Sequence, residues 1–220
     1  MSDDGFTQMI DDGNTLFAQL AQNNTKEWFA PHKDHYIEGI RKPAELFAKL
    51  LAEDLSQMTG MAYTPKVFRI YRDIRFSKDK TPLNTHLHIV WNPGEARFAP
   101  AVRFISAPSN LTIGMGVMGL KGDDLNRYRA FIDKWGNSFQ EAVAATGMTA
   151  SDWGEAPLKR VPKPYSEDHP HAELLKQKQI IIGRSVSDEW RSEGIYKTVK
   201  DVFRQTAPLR EVLAKHLGAD

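Results

Sequence analysis

Cysteine is missing from the 220 residues, which removes disulfides, thiolate metal ligands and thiol nucleophiles from consideration. Long apolar runs are missing too. None approaches the roughly 20 residues that span a bilayer, and Met1-Ser2-Asp3-Asp4-Gly5 has neither the basic nor the apolar region of a signal peptide, so the expectation is a soluble, cytoplasmic protein with no membrane partner. An excess of charge is also absent: 29 basic against 28 acidic residues leave a net +1. That balance argues against a nucleic-acid binder working by bulk electrostatics. No G-x-S-x-G motif supports a nucleophilic hydrolase, and no repeat, low-complexity tract or linker divides the chain.

What is present reads as a globular chain. At 41% hydrophobic and 26% charged residues, the length predicts one sizeable core and a single domain over residues 1–220. Helical spacing marks Thr15–Leu20. Asn23-Asn24-Thr25 offers caps for a helix from Glu27-Trp28-Phe29 through Tyr36, Ile37 and Ile40, and Pro43 predicts a kink or restart at Lys42. Leu46, Phe47, Leu50, Leu51 and Leu55 form the next apolar stripe, closed by Gly60. The period then changes from about 3.6 to 2. Phe68, Ile70, Arg72, Ile74 and Phe76 fall on one face of a predicted strand, with Val67, Arg69, Tyr71, Asp73 and Arg75 on the other. Further strands are predicted at Leu87–Trp91, Ala101–Ile105, Leu111–Ile113 and Ile180-Ile181-Ile182, the hairpin between the second and third turning at Pro108-Ser109-Asn110. Helices return at Asp123–Trp135, Ser138–Ala145, in a short helix with Pro170 at its first position that ends near Lys178, and in the tail around Trp190, Ile195, Val199, Val202, Phe203 and Leu209–Leu217. Strands grouped in the middle and flanked by helices predict an α+β fold with a largely antiparallel central sheet.

One stretch stands out chemically. Between Lys66 and Lys80 lie six basic and two acidic residues, a local net charge of +4 on a chain of +1. On a regular strand Asp73 and Arg75 would be neighbours about 6.6 Å apart with Arg69 further along the same face. Arginine pairs with an intervening carboxylate suit phosphate or carboxylate recognition, because the guanidinium fork matches those anions and the aspartate orients it. Asp73 is also the candidate general base. Arg72, on the apolar face, then needs a partner. The same charges also fit a structural salt-bridge network in a scaffold or interaction module, and a third reading has nucleic acid bound there with Tyr71 and Trp91 as stacking platforms.

The motif Arg69-Ile-Tyr-Arg72-Asp73-Ile-Arg75-Phe76-Ser-Lys78-Asp79-Lys80 resembles the signature of a conserved hypothetical protein family found in bacteria and within larger fungal proteins. The resemblance extends to Asn23-Asn24-Thr25-Lys26-Glu27-Trp28-Phe29 and to Leu158-Lys159-Arg160-Val161-Pro162-Lys163 with Asp168-His169-Pro170. It implies no activity, since the family is a domain of unknown function. The chain departs from the signature at Leu83, where the family has tyrosine, and at Pro164, where it has glycine.

The downstream block adds Lys163 and His169 as candidate anion ligands, with His169 or Asp168 capping the following helix as the structural alternative. Gly114-Met-Gly116-Val-Met-Gly119 fits G-x-G-x-x-G, but it follows a hairpin rather than opening a βαβ unit, so the glycines are expected to allow close packing or a bulge, or to line a pocket beside the arginines with their amides. His86 and His88 would share a strand face as a metal pair, yet no third ligand is apparent and solvent-facing imidazoles are expected. The sequence therefore predicts an anionic small-molecule partner bound by Arg69, Arg72, Arg75, Lys80, Lys163 and His169, with no metal and no cofactor. It carries no signal for oligomeric state.

Overall fold

The computed structural model describes residues 5–94, 96–151, 154–188 and 190–218. In chain order the elements are α1 (Thr7–Gln22), α2 (Lys26–Phe29), a 3₁₀ turn (Ala30–His32), α3 (Lys33–His35), a π-helical segment (Tyr36–Arg41), α4 (Lys42–Thr59), β1 (Tyr63–Val67), β2 (Leu87–Pro93), β3 (Ala101–Ala107), β4 (Asn110–Val117), α5 (Gly122–Ala145), β5 (Thr149–Ala150), α6 (Ala172–Leu175), β6 (Ile180–Ser185), α7 (Trp190–Glu193), α8 (Ile195–Gln205) and α9 (Ala207–His216). The strands form one antiparallel sheet in the order β1-β2-β3-β4-β6-β5, so the fold is the α+β arrangement that the grouping of strands predicted. No helix among the described residues is long and apolar enough to cross a membrane. Contacts divide the chain into two compact units, one of residues 1–94, 103–113 and 185–201 and one of residues 95–102, 114–184 and 202–220.

In the first unit, α1 starts earlier than the predicted Thr15 and buries Met9, Ile10, Leu16, Phe17 and Leu20. Thr25 caps α2, its hydroxyl accepting the Trp28 N–H at 3.1 Å. The chain then stays helical to Thr59, but not uniformly. Pro43 lies in the first turn of α4, and the turn before it is wound as a π-helix. A proline has no N–H to give to that preceding turn, so a regular α ladder cannot pass through it. The restart predicted at Lys42 is where α4 begins. Its buried face is Ala44, Phe47, Ala48, Leu51, Ala52 and Leu55, whereas Leu46 and Leu50 of the predicted stripe are exposed. Gly60, at φ 73°, closes α4 with its N–H on the Ser56 carbonyl.

β1 pairs with β2 from Tyr63↔Pro93 to Val67↔Ile89. Pro65 is tolerated because β1 is an edge strand. Phe47 sits at the centre of this unit's core, its ring 5.1 to 5.9 Å from those of Phe6, Trp91, Phe104 and Tyr196.

The second unit is organised by α5, which packs on α6 and α9. α5 is kinked at Trp135 (φ −125°, ψ 17°), the boundary between the two helices predicted there. The His171 ring inserts beside the neighbouring Gly136, where an added Cβ would lie 2.5 Å from its Cγ. Gly114 and Gly116 are strand residues of β4, and a Cβ on Gly114 would meet the Ile182 carbonyl oxygen of β6 at 2.6 Å. Of the roles open to them from the sequence, Gly114 and Gly116 take close packing.

Candidate functional site

The basic stretch is not the strand that its alternation predicts. β1 ends at Val67, and residues 68–86 form a long excursion before β2. Two features bend the chain. The Asp73 carboxylate accepts the Arg75 N–H at 3.3 Å, and the Asp79 carboxylate accepts the Thr81 N–H at 2.9 Å. Each is an i, i+2 turn that competes with a ladder. Only part of the alternation survives: Ile70 is buried, while Phe68 is half exposed and Phe76 is 95% exposed.

The excursion is nonetheless fixed. Arg72 N–H donates to the Pro82 carbonyl at 2.9 Å, Asn84 N–H to the Ile70 carbonyl at 2.7 Å, and Tyr71 and Leu83 form an antiparallel bridge. Asn24 clamps the returning limb from both sides, its amide donating to the Leu83 carbonyl at 2.9 Å and its carbonyl accepting the Leu83 N–H at 3.1 Å. Phe29 meets the Tyr71 ring edge-on at 6.0 Å. Two of the three sequence blocks that carried the family resemblance therefore touch. Arg41, from the π-helical segment, donates to the Val67 and Phe68 carbonyls at 3.1 and 2.9 Å. Tyr36 lies beside it, its phenol pKa raised by burial and partly restored by Arg41.

Two ion pairs organise the loop. Arg72 donates to Asp79 at 2.6 Å and to the Thr81 carbonyl at 3.0 Å, and also to the Thr81 hydroxyl. This answers the need for a partner: Arg72 is half-buried and braced across the loop. The Asp79 carboxyl is held at a pKa of about 2 by the bonds from Thr81 and then Arg72. Arg75 grips Asp73 with both faces of its fork, at 2.9 and 2.7 Å, on the surface. The Asp73 pKa is lowered by those bonds and further by the charge of Arg69. Lys80 Nζ donates to the Ile74 carbonyl at 3.0 Å. Among the described residues Arg69, Lys66 and Lys78 make no ion pair, although Lys66 lies over the Phe68 ring at 4.7 Å.

Behind the loop, Phe68 stacks on His88 at 4.3 Å and 5°. His88 is buried rather than solvent-facing, and five successive residues of β2, Leu87–Trp91, are buried with it. Its pKa is pushed down to about 4, first by burial and then by Arg103, His86 and Lys66. His86 is lowered by burial. No group of three metal-ligating side chains occurs among the described residues. Trp91 is fully buried with its indole N–H on the Ala48 carbonyl at 2.7 Å, which corrects its reading as a stacking platform; Tyr71 remains partly exposed.

Lys163 and His169 belong to the second unit. Lys163 is exposed. The His169 ring uses both nitrogens internally: Nδ1 accepts the His171 N–H at 3.0 Å, which leaves Nε2 protonated to donate to Asp133 at 3.0 Å. The cap weighed from the sequence is not formed: α6 has His171 at its N-cap with no side-chain cap bond, and the His169 ring braces the turn before it. The second unit also contains a cavity of about 610 Å³. Sequence reading missed it, because its walls come from α5, α6, β5, β6 and the loop before α6, and no single stretch marks them.

The profile of a conserved hypothetical protein family, DUF2461, matches residues 14–211, so the chain belongs to that family. Neither the curated proteins nor the solved structures returned a match.

Proposed function

We propose that this DUF2461 protein is a cytoplasmic binder of small anionic molecules and that the 68–83 loop is its recognition element, with Arg69 and Arg75 as direct contacts to a phosphate or carboxylate. One observation carries the reading: both carboxylates of the loop are already bonded to arginines, yet Arg69, Lys66 and Lys78 carry positive charge with no ion-pair partner among the described residues. An ordered loop of this length without regular structure is more often functional than structural. In this reading Arg72, Asp79, Thr81 and Lys80 are braces that set the loop's shape, and Asp73 orients Arg75. Its lowered pKa makes it a weak base at neutral pH, which favours orientation over proton abstraction. Lys163 and His169 are not needed.

The rival reading is a scaffold in which the same pairs are structural. Exposure weighs against it, since Arg75 and Asp73 side chains are 76% and 43% exposed and solvent-screened surface pairs contribute little to stability. Isothermal titration of the purified chain at low salt with inorganic phosphate, nucleoside monophosphates and dicarboxylates separates the two. The expected result is saturable binding by at least one class, lost in Arg69→Ala with the melting temperature unchanged. Binding in Arg69→Ala equal to that of the unsubstituted chain overturns the proposal.

A further inference from the structure

The cavity of the second unit, about 610 Å³, falls within the range of small-molecule sites, roughly 300–1,000 Å³. Its floor is apolar and buried: Tyr128 and Phe139 from α5, and Ile180, Ile181 and Ile182 from β6. Tyr128 is held in place by its hydroxyl, which donates to the Leu174 carbonyl at 3.0 Å, and burial raises its pKa so that the phenol stays neutral.

The wall opposite α5 is fixed from behind. The Gln179 carboxamide bonds the Glu155 backbone twice, accepting its N–H and donating to its carbonyl, each at 3.2 Å. Leu158 N–H donates to the Lys176 carbonyl at 2.9 Å and Ser151 N–H to the Ile181 carbonyl at 3.0 Å. Gly154, at φ 100°, lies against the Gln179 carboxamide, where a side chain would collide with it. These bonds tie Ser151 and residues 154–158 to β6 and to the segment between α6 and β6, so the space between them and α5 is built into the fold rather than left by loose packing.

The lining also selects a charge class. Among the described residues it contains no lysine, arginine or histidine, and the carboxylate found there, Glu155, is paired with Lys178 at 2.7 Å. An anion entering would lose its hydration without gaining a cationic partner, and a cation would meet a carboxylate already neutralised. Polar groups suited to neutral partners are present in Gln140 and Gln177. We infer that this cavity binds an uncharged small molecule with an apolar, ring-sized body and an amide, carbonyl or hydroxyl group that pairs with those carboxamides.

Two-dimensional amide NMR of the full chain, titrated with benzamide and separately with benzoate, tests this. Saturable shifts confined to the amides around Ala144, Ala150 and Ile180–Ile182 are expected for benzamide, with benzoate at least tenfold weaker. Ala144→Trp, an exposed position on α5 that would fill the space, should abolish the benzamide shifts while phosphate binding at the 68–83 loop is unaffected. If that variant fails to fold, Ala156→Trp on the opposite wall serves the same purpose. No saturable shift at these residues, equal affinity for benzoate, or undiminished binding in a folded filled variant overturns the inference.

Discussion

His88 has a pKa depressed from 6.5 to about 4 by burial, Arg103, His86 and Lys66, and this fixes a pH dependence of stability. Above pH 6.5 the ring is neutral folded and unfolded, and its contribution is fully present. As the pH falls from 6.5 towards 4, the unfolded chain takes up a proton that the folded chain resists, so stability is lost with a slope approaching about 1.4 kcal/mol per pH unit and a total on the order of 3 kcal/mol. His86, also lowered, acts with the same sign. His88→Phe keeps a ring against Phe68 and removes the titration. Urea unfolding of that variant should therefore change much less between pH 7 and pH 4.5 than unfolding of the natural chain, and parallel profiles would refute the assignment. Gly116 supports a second expectation at this scale. A Cβ there would fall inside contact distance of the Ile180 carbonyl oxygen, so Gly116→Ala should cost about 3 kcal/mol by forcing β4 away from β6, read as a lowered denaturation midpoint. The sequence left these glycines between close packing, a bulge and a pocket lining, because nothing in it marks which strand lies against β4. Nor was the burial of His88 legible, because alternation assigns a residue to one of two faces and carries no information on whether β2 is covered on both.

At the scale of elements, sequence and structure part company most at the basic loop. Period-2 hydrophobicity over Phe68–Phe76 reads as a strand, yet a strand also needs backbone donors and acceptors that are free to pair. Asp73 and Asp79 each draw an N–H two residues on into a side-chain bond, and the chain turns instead of extending. Arg75 still pairs with Asp73, through the turn rather than along a strand face. Helix boundaries were better marked: Pro43 gave the restart of α4 at Lys42, and the break between the predicted helices gave the Trp135 kink. If the Arg72–Asp79–Thr81 brace sets the loop's shape, Asp79→Ala should leave the global melting temperature within a degree or two. It should also speed tryptic cleavage after Arg72, Arg75, Lys78 and Lys80 several-fold, because local opening exposes those bonds. Cleavage at the rate of the natural chain would show that the backbone bonds and the Asn24 clamp hold the loop without it.

For the whole molecule, fold class was readable because strands cluster in sequence, whereas the cavity was not, since residues from α5 to β6 contribute isolated side chains to it. Charge is the one global property that bears on function. The chain totals +1, and the 66–80 stretch carries six basic and two acidic residues, or +4, so the remainder carries +1 − 4 = −3. A small anion senses charges within about 8 Å at physiological ionic strength, and at that range the loop dominates. A long polyanion spans far more of the surface and is repelled by the remainder, while its binding would also weaken steeply with salt as counterions are released. The two partner classes therefore diverge with ionic strength. Small-anion binding that depends on Arg69 should persist at 150 mM salt with a modest loss of affinity, whereas electrophoretic mobility of a duplex oligonucleotide should be unchanged by the protein under the same conditions. A duplex shift at 150 mM that disappears in Arg69→Ala would move the loop from small-molecule recognition to nucleic acid.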